Sequence, residues 1–252
     1  MLNTATRLII LYLALAVAWL GSLVGGCNPI IAVFEKPPIA TIAPTPEAVT
    51  VVITPAARTL WGKLHECALA HQELALILWE RPSTSPDFRQ ADLSIRLGAP
   101  SDMDGYLALL GETEIKVIVH SSSAFADLTF EEIKTIFQKG TTASGQPVQV
   151  WILQGDDIRP YFDAVVLNGE DATSQARIAP DPAAMLVSVS SDPTAIGYLP
   201  ATWLNDEVRP LTLDSDLSQK LRLPILALAR AEPQGASRIL LGCLQAPAGA
   251  IK

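Results

Sequence analysis

From residue 49 onward, short apolar runs alternate with amphipathic stretches. VTVVI (49–53) is β-branched at every position and reads as a buried strand. Thr54-Pro55 then supplies a capping residue and a proline suited to a first helical turn. Leu60, Trp61, Leu64, Ala68 and His71 continue at helical spacing. ELALILW (73–79) is the next strand, closed by the loop ERPSTSPDF, and ADLSIRLG (91–98) is a third short strand. Strand, helix, strand in this order predicts an α/β layer with a mostly parallel sheet.

The pattern repeats further on. EIKVIVH (114–120) is a strong strand signal, followed by the loop SSSAFAD. Thr129 and Glu132 have the spacing of a capping box, and Leu128 and Ile133 that of a hydrophobic staple. Ile133, Ile136 and Phe137 line one side of the predicted helix, which Gly140 is placed to end. VQVWIL (148–153) is another strand, after which a helix starts near Asp157 and carries Tyr161, Phe162, Val165 and Val166. Asp181-Pro182 opens a helix over AAMLVSVS, Asp192-Pro193 stops it, and AIGYLP returns as a short strand. LPILALA (223–229) and a helix from about Gly235 to Leu244 complete the chain, with no internal repeat and no coiled-coil period.

The residues before 49 have a different character. Arg7 precedes an uninterrupted run of 13 apolar residues, LIILYLALAVAWL, and small residues follow it. This is the build of a secretory signal, too short for the roughly 20 residues of a membrane span. Val24-Gly25-Gly26-Cys27 resembles the lipobox of bacterial lipoproteins, in which the cysteine is acylated and becomes the new N-terminus. An ordinary signal peptide with an incidental cysteine is the alternative. Residues 27–48 are proline-rich without a structural period, as expected of a tether between a lipid anchor and a folded part. The expected location is extracytoplasmic, lipid-anchored to a bacterial membrane.

Charge narrows the partners. The whole chain carries −8, and loss of Arg7 with residues 1–26 takes it to −9. With no basic run it is a poor nucleic-acid ligand, although a local site can oppose the global sign. Cys67 and Cys243 remain to pair outside the cytoplasm, but their spacing does not say whether they meet.

Several clusters suggest chemistry that their spacing does not support. His65, Cys67 and His71 do not share a helix face. His120 stands beside three serines, but the chain has no Gly-x-Ser-x-Gly elbow and no assignable third member of a triad. DMDG (102–105) lacks the later ligands of a calcium loop. Trp79, Trp151, Tyr198 and Trp203 fall in or beside strands, where packing explains them better than a sugar platform. No metal, no cofactor and no catalysis are expected.

Three blocks, in order, resemble the phosphate-type family of periplasmic substrate-binding proteins, the solute receptors of ABC importers. IKVIVHSSSAFADLTFEEIKTIFQKG is similar to that family's strand, loop and Leu-Thr-x-x-x-(Leu/Ile)-x-x-Ile-Phe-x-Gly helix. VQVWILQGDDIRPYFDAVVL resembles its strand, Gly-Ser-Gly-Thr-Arg turn and helix, and VSSDPTAIGYLP its Pro-Gly-Ala-Ile-Gly-Tyr turn and strand. The resemblance covers roughly 49–245. It implies a two-lobed type II periplasmic binding protein fold, α/β, with mixed sheets flanked by helices. Residues 49–117 with 206–252 would form the first lobe and 118–205 the second. It also implies capture of a small anionic or polar solute between the lobes, and delivery to an ABC permease. The alternative is a binding-protein-like domain that has lost its ligand site and serves as a surface sensor or protein-interaction module.

The family grips its oxyanion with helix N-termini and hydroxyl-rich loops, where free N–H groups and the helix dipole favour negative charge. Its Ser-Gly-Thr-Arg falls on Asp156, Asp157, Ile158 and Arg159, so only the arginine is kept. Pro160 removes one further donor. Its first anion loop falls near Thr54 and its second near Ser83, Thr84 and Ser85, while Asp92 and Arg96 stand where it often has an Asp and an Arg. Three readings stay open. Asp157 caps the helix and Asp156 pairs with Arg159 without any ligand; or these groups hold a zwitterion or polar organic solute; or a phosphate site survives.

Overall fold

Strand register organises this protein more than helix packing does. The computed structural model describes residues 45–82, 89–100, 103–125, 128–155, 157–213 and 215–247. The chain divides into Met1–Ala43 and Pro44–Lys252, and everything below concerns the second unit. Signal, Cys27 and tether up to 44 lie outside the described residues, as do Ser83, Thr84, Ser85 and Asp156.

Strand β1 (Glu47–Ile53) leads through a tight 3-10 turn (Pro55–Leu60) into helix α1 (Trp61–Ala70). Strands β2 (Leu74–Glu80) and β3 (Leu93–Leu97) both pair with β1 in parallel. The 15-residue β4 (Tyr106–His120) follows, then α2 (Phe130–Lys139), β5 (Gln149–Leu153), α3 (Arg159–Val166), β6 (Arg177–Ala179) and α4 (Pro182–Ser190). Next come β7 (Ala195–Pro200), a 3-10 turn at Ala201–Trp203, β8 (Val208–Pro210), α5 (Ser215–Lys220), β9 (Arg222–Ala229) and α6 (Gly235–Gln245).

Among the described residues the nine strands form one sheet in the order β2-β1-β3-β9-β4-β7-β5-β6, with β8 also on β4. Its two halves share one strand. The first part of β4 pairs antiparallel with β9, and its last residues pair antiparallel with β7 and β8. Parallel pairing holds within β1, β2 and β3 and within β5, β6 and β7. The sheet is therefore mixed, not mostly parallel as the opening strand–helix–strand order suggests, because the chain returns antiparallel through β4, β7 and β9.

Alternation along β1 sets one end of the core. Val49, Val51 and Ile53 are fully buried and pack with Leu64 and Cys67 of α1 and Leu240 and Leu244 of α6. A disulfide joins α1 to α6 through Cys67 and Cys243. Further along the sheet the same buried cluster centres on three rings. Phe162 of α3 stacks on Tyr198 of β7 at 3.7 Å between centroids, and Phe137 of α2 meets Phe162 edge-on at 4.9 Å. The capping box at Thr129 and Glu132 is formed, and Gly140 takes the left-handed conformation (φ 69°) that ends α2.

Local chemistry departs from expectation in three places. Thr54 stands at the helix entry but its side chain caps nothing, because the 3-10 turn sends the Ala57 N–H to the Thr54 carbonyl (3.0 Å). Asp157 does not cap α3 either. The cap position is Ile158, and Asp157 Oδ1 takes the N–H of Ile158 itself at 3.1 Å, one residue too early for the helix. Finally, β4 begins at residue 106 rather than 114, and β6, β8 and α5 carry too few residues to show a period.

Candidate functional site

Two parallel pairs of strands end at one place. The carboxyl ends of β1 and β2 from one side, and of β5 and β6 from the other, border a cleft of about 250 Å³. It is lined by Pro55, Ala56, Glu80, Arg81, Pro82, Leu153, Gln154, Asp157, Ile158, Pro180, Asp181 and Pro182. Open α/β sheets place ligands outside the carboxyl ends of their strands, so this is the candidate site.

Its walls come close and are tied together. A Cβ at Gly98 (φ 67°), beyond β3, would sit 3.4 Å from the Asp157 carbonyl oxygen. Trp203 donates its indole N–H to the Ala56 carbonyl at 2.9 Å, and Tyr161 donates its hydroxyl to the Lys220 carbonyl at 2.6 Å. Tyr198 is buried and its oxygen accepts the Leu153 N–H at 3.3 Å, which holds the end of β5 at the cleft wall. Burial, and behind it the charge of Asp163, pushes the Tyr198 phenol far above its ordinary range, so it stays neutral.

Arg58, which no sequence motif marks, bridges the two walls. Its guanidinium makes a two-pronged bond to the Glu80 carboxylate at the end of β2 and lies 3.6 Å from Asp181 Oδ2 at the start of α4. It also stands over the Trp203 ring at 5.5 Å. The hydrogen bonds that Arg58 donates to Glu80 raise its guanidinium above its ordinary value against the opposing effect of burial. With Arg58 about one-third exposed, solvent limits this network to about 1 kcal/mol. Arg58→Ala leaves Glu80 and Asp181 facing each other uncompensated. Urea unfolding should show a loss of about 1 kcal/mol at low salt that shrinks at high salt, and an unchanged midpoint at low salt would remove the bridge from the account.

The residues singled out in the sequence are distributed unevenly around this cleft. Asp157 lines it and is 8% exposed. Thr54 adjoins its wall residue Pro55 and is 5% exposed, with a buried hydroxyl that has no hydrogen-bond partner among the described residues. Arg96 is buried beside Thr54, one step beyond the Ile53–Ile95 pair. Arg159 turns along its own helix: its Nε lies 3.4 Å from Asp163 Oδ2, the i,i+4 neighbour, and it is not among the lining residues. Burial raises the Asp163 carboxyl, and Arg159 opposes that shift. Asp92 completes sheet pairing by accepting the Thr50 N–H at 2.7 Å.

What remains of an oxyanion grip is limited by hydrogen-bond supply. Each of the three helical starts around the cleft, at Pro55, Pro160 and Pro182, carries a proline at its first or second position. At two of them a carboxylate already takes an N–H: Asp157 from Ile158, and Asp181 from Ala184 at 2.8 Å. Three carboxylates, Glu80, Asp157 and Asp181, line the cleft against Arg81, with Arg58 committed to two of them. One carboxylate about 6 Å from a bound anion opposes it by roughly 3 kcal/mol at an effective dielectric near 20. That offsets one or two charge-assisted hydrogen bonds of about 1.5–3 kcal/mol each.

Other chemistry finds no footing. Ser122 and His120 do pair, but the Ser122 N–H (3.0 Å) and hydroxyl (2.9 Å) converge on the same Nδ1, so the nitrogen that would accept a nucleophile's proton is already bonded. His65 accepts from the Trp61 indole at 2.7 Å, and Cys67 is in the disulfide. Among the described residues no group of three or more His, Cys, Asp or Glu side chains could hold a metal ion, and no helix is long and apolar enough to cross a membrane.

No protein-family model matches the chain, and no curated protein does. Solved structures do. A candidate phosphate ABC transporter substrate-binding protein with bound phosphate from Clostridium perfringens is 17% identical, with a TM-score of 0.71 over 81% of this chain and 95% of that one. The reduced OxyR regulatory domain from Pseudomonas aeruginosa is 12% identical, at TM-score 0.60 over 81% and 99%. The CcmR regulatory domain of Synechocystis PCC6803 in complex with 2-PG is 12% identical, at 0.61 over 79% and 95%. Transport receptors and regulatory domains thus share one architecture with this chain, a mixed α/β sheet flanked by helices: the type II periplasmic-binding-protein-like fold.

Proposed function

We propose that this protein is an extracytoplasmic, lipid-anchored binding-protein-like module that senses or contacts a partner at the membrane surface and does not take up phosphate or catalyse a reaction. The carrying observation is the cleft's own chemistry: prolines at all three helical starts, two N–H groups already taken by Asp157 and Asp181, and an acidic lining. The Cys67–Cys243 bridge supports an oxidising compartment and so an exported chain. On this reading residues 1–26 are removed, Cys27 carries the lipid, 27–48 tether the fold, and the lobes comprise 49–117 with 206–252 and 118–205.

A second reading is supported by the buried, unpartnered hydroxyl of Thr54 at the cleft wall. Such a group is costly without a hydrogen bond, and a polar organic or zwitterionic solute could supply one, its positive part meeting Asp157 and its negative part Arg81. Ser83, Thr84, Ser85, Arg96, Asp156 and Arg159 then belong to the ligand set, and an ABC permease is the partner. Thermal melting with a panel of anions, amines and amino acids separates the two. A solute present at one hundred times its Kd adds about 2.7 kcal/mol and raises Tm by about 5–10 °C. The module reading expects no such shift, and a single solute that produces one would replace it with the receptor reading.

A further inference from the structure

We propose that strand β2 is a self-complementary edge through which two copies of this chain pair antiparallel about Ile77. Among the described residues β2 ends the sheet. The N–H of Arg81 and the carbonyl of Glu73 are both turned inward, to Ile53 and Glu47 of β1. Backbone groups alternate along a strand, so those of Leu74, Leu76, Leu78 and Glu80 face outward in a row.

Natural sheets blunt such an edge with charges, prolines or bulges. LALILWE has none before its final glutamate. On the sheet face opposite the α1–α6 core, Ile77 is 41% and Trp79 54% exposed.

Among strand-to-strand registers, the one with its two-fold axis at Ile77 satisfies three conditions together. It joins the outward residues to one another, Leu76 to the second copy's Leu78 and Leu74 to its Glu80. It sets Ile77 on Ile77 and the large Trp79 beside the small Ala75. It also brings Glu73 opposite the second copy's Arg81, a carboxylate against an exposed guanidinium that has no ion pair within its own described chain. Cross-strand aromatic–aliphatic contacts and opposite charges each favour pairing. A tether confining both copies to one membrane would raise their effective concentration.

Variants of the full chain that each gain one cysteine, run on non-reducing gels after mild oxidation, read the register directly. In this pairing residue 77 meets itself at about 4.5 Å between Cα atoms, whereas residues 75 and 79 lie roughly 13 Å from their own mates, beyond disulfide reach. Ile77→Cys should therefore give a covalent dimer, while Ala75→Cys, Trp79→Cys and the unaltered chain should not. Adding Glu73→Arg to Ile77→Cys should cut the dimer at least tenfold, and adding Arg81→Glu as well should restore it. No Ile77→Cys dimer, equal dimer from all three cysteine variants, or no restoration by the second charge change would each overturn the pairing.

Discussion

Replacing Cys67 and Cys243 together by alanine is expected to lower the unfolding free energy by about 2–4 kcal/mol. The bridge spans a sequence separation of 176 residues, so cutting it frees most of the folded chain in the unfolded state. The chain-entropy relation gives about 5 kcal/mol for such a loop, an upper value because the unfolded chain keeps some structure. Both sulfurs are buried between α1 and α6, so alanine is preferable to serine, whose hydroxyl would add a burial penalty of its own. Urea unfolding of the oxidised protein, the reduced protein and the variant provides the check. Reduced protein and variant should coincide, both well below the oxidised form. Three coincident curves would mean that the helices hold together without the covalent link.

The second large effect lies under the other wall of the cleft. Phe162→Ala should cost about 3–5 kcal/mol, the range for emptying a fully buried aromatic site. Phe162 is 0% exposed and lies between the Tyr198 ring, nearly parallel to it at 5°, and the edge of Phe137. Its removal opens a void where α2, α3 and β7 meet. The same void loosens Tyr198, whose oxygen holds the Leu153 N–H at the rim of the cleft. Phe162→Leu, which keeps most of the volume, should lose clearly less. Equal midpoints for the alanine variant and the parent in urea would show that the three rings do not form one packed unit.

The most legible parts of the sequence are those in which one segment decides its own structure. Thr129, Glu132 and Gly140 mark both ends of α2 because capping is local hydrogen bonding. VTVVI becomes β1 because a β-branched run fits a buried strand whatever its neighbours. The first half of β4 is hidden for the opposite reason. Leu107 and Leu109 are apolar yet about half exposed, and a register shift interrupts the strand between Leu109 and Gly111, so no period survives to be read.

The cleft is only half legible. The block resemblance points to Asp157 and its turn, but the bridge of Arg58, Glu80 and Asp181 joins residues from three separate segments that only sheet register brings together. One signal was available. Glu80 and Asp181 are the polar residues at a strand end and a helix start, the positions from which open α/β sheets build their sites. The turn of α3 shows the limit in miniature: Arg159 reads as an anion ligand until Asp163, one helical turn on, is seen to hold it.

A cleft with this acidic lining and these proline-blocked helix starts should not hold phosphate. The deciding experiment is calorimetric titration with phosphate of residues 28–252, which begin after Cys27 and so carry no lipid. No heat beyond dilution is expected up to about 1 mM phosphate, where even a weak site of about −4 kcal/mol would begin to fill. Saturable binding in the micromolar range would contradict it, and would mean that Asp157 and Asp181 do not oppose the anion as their positions at the cleft indicate.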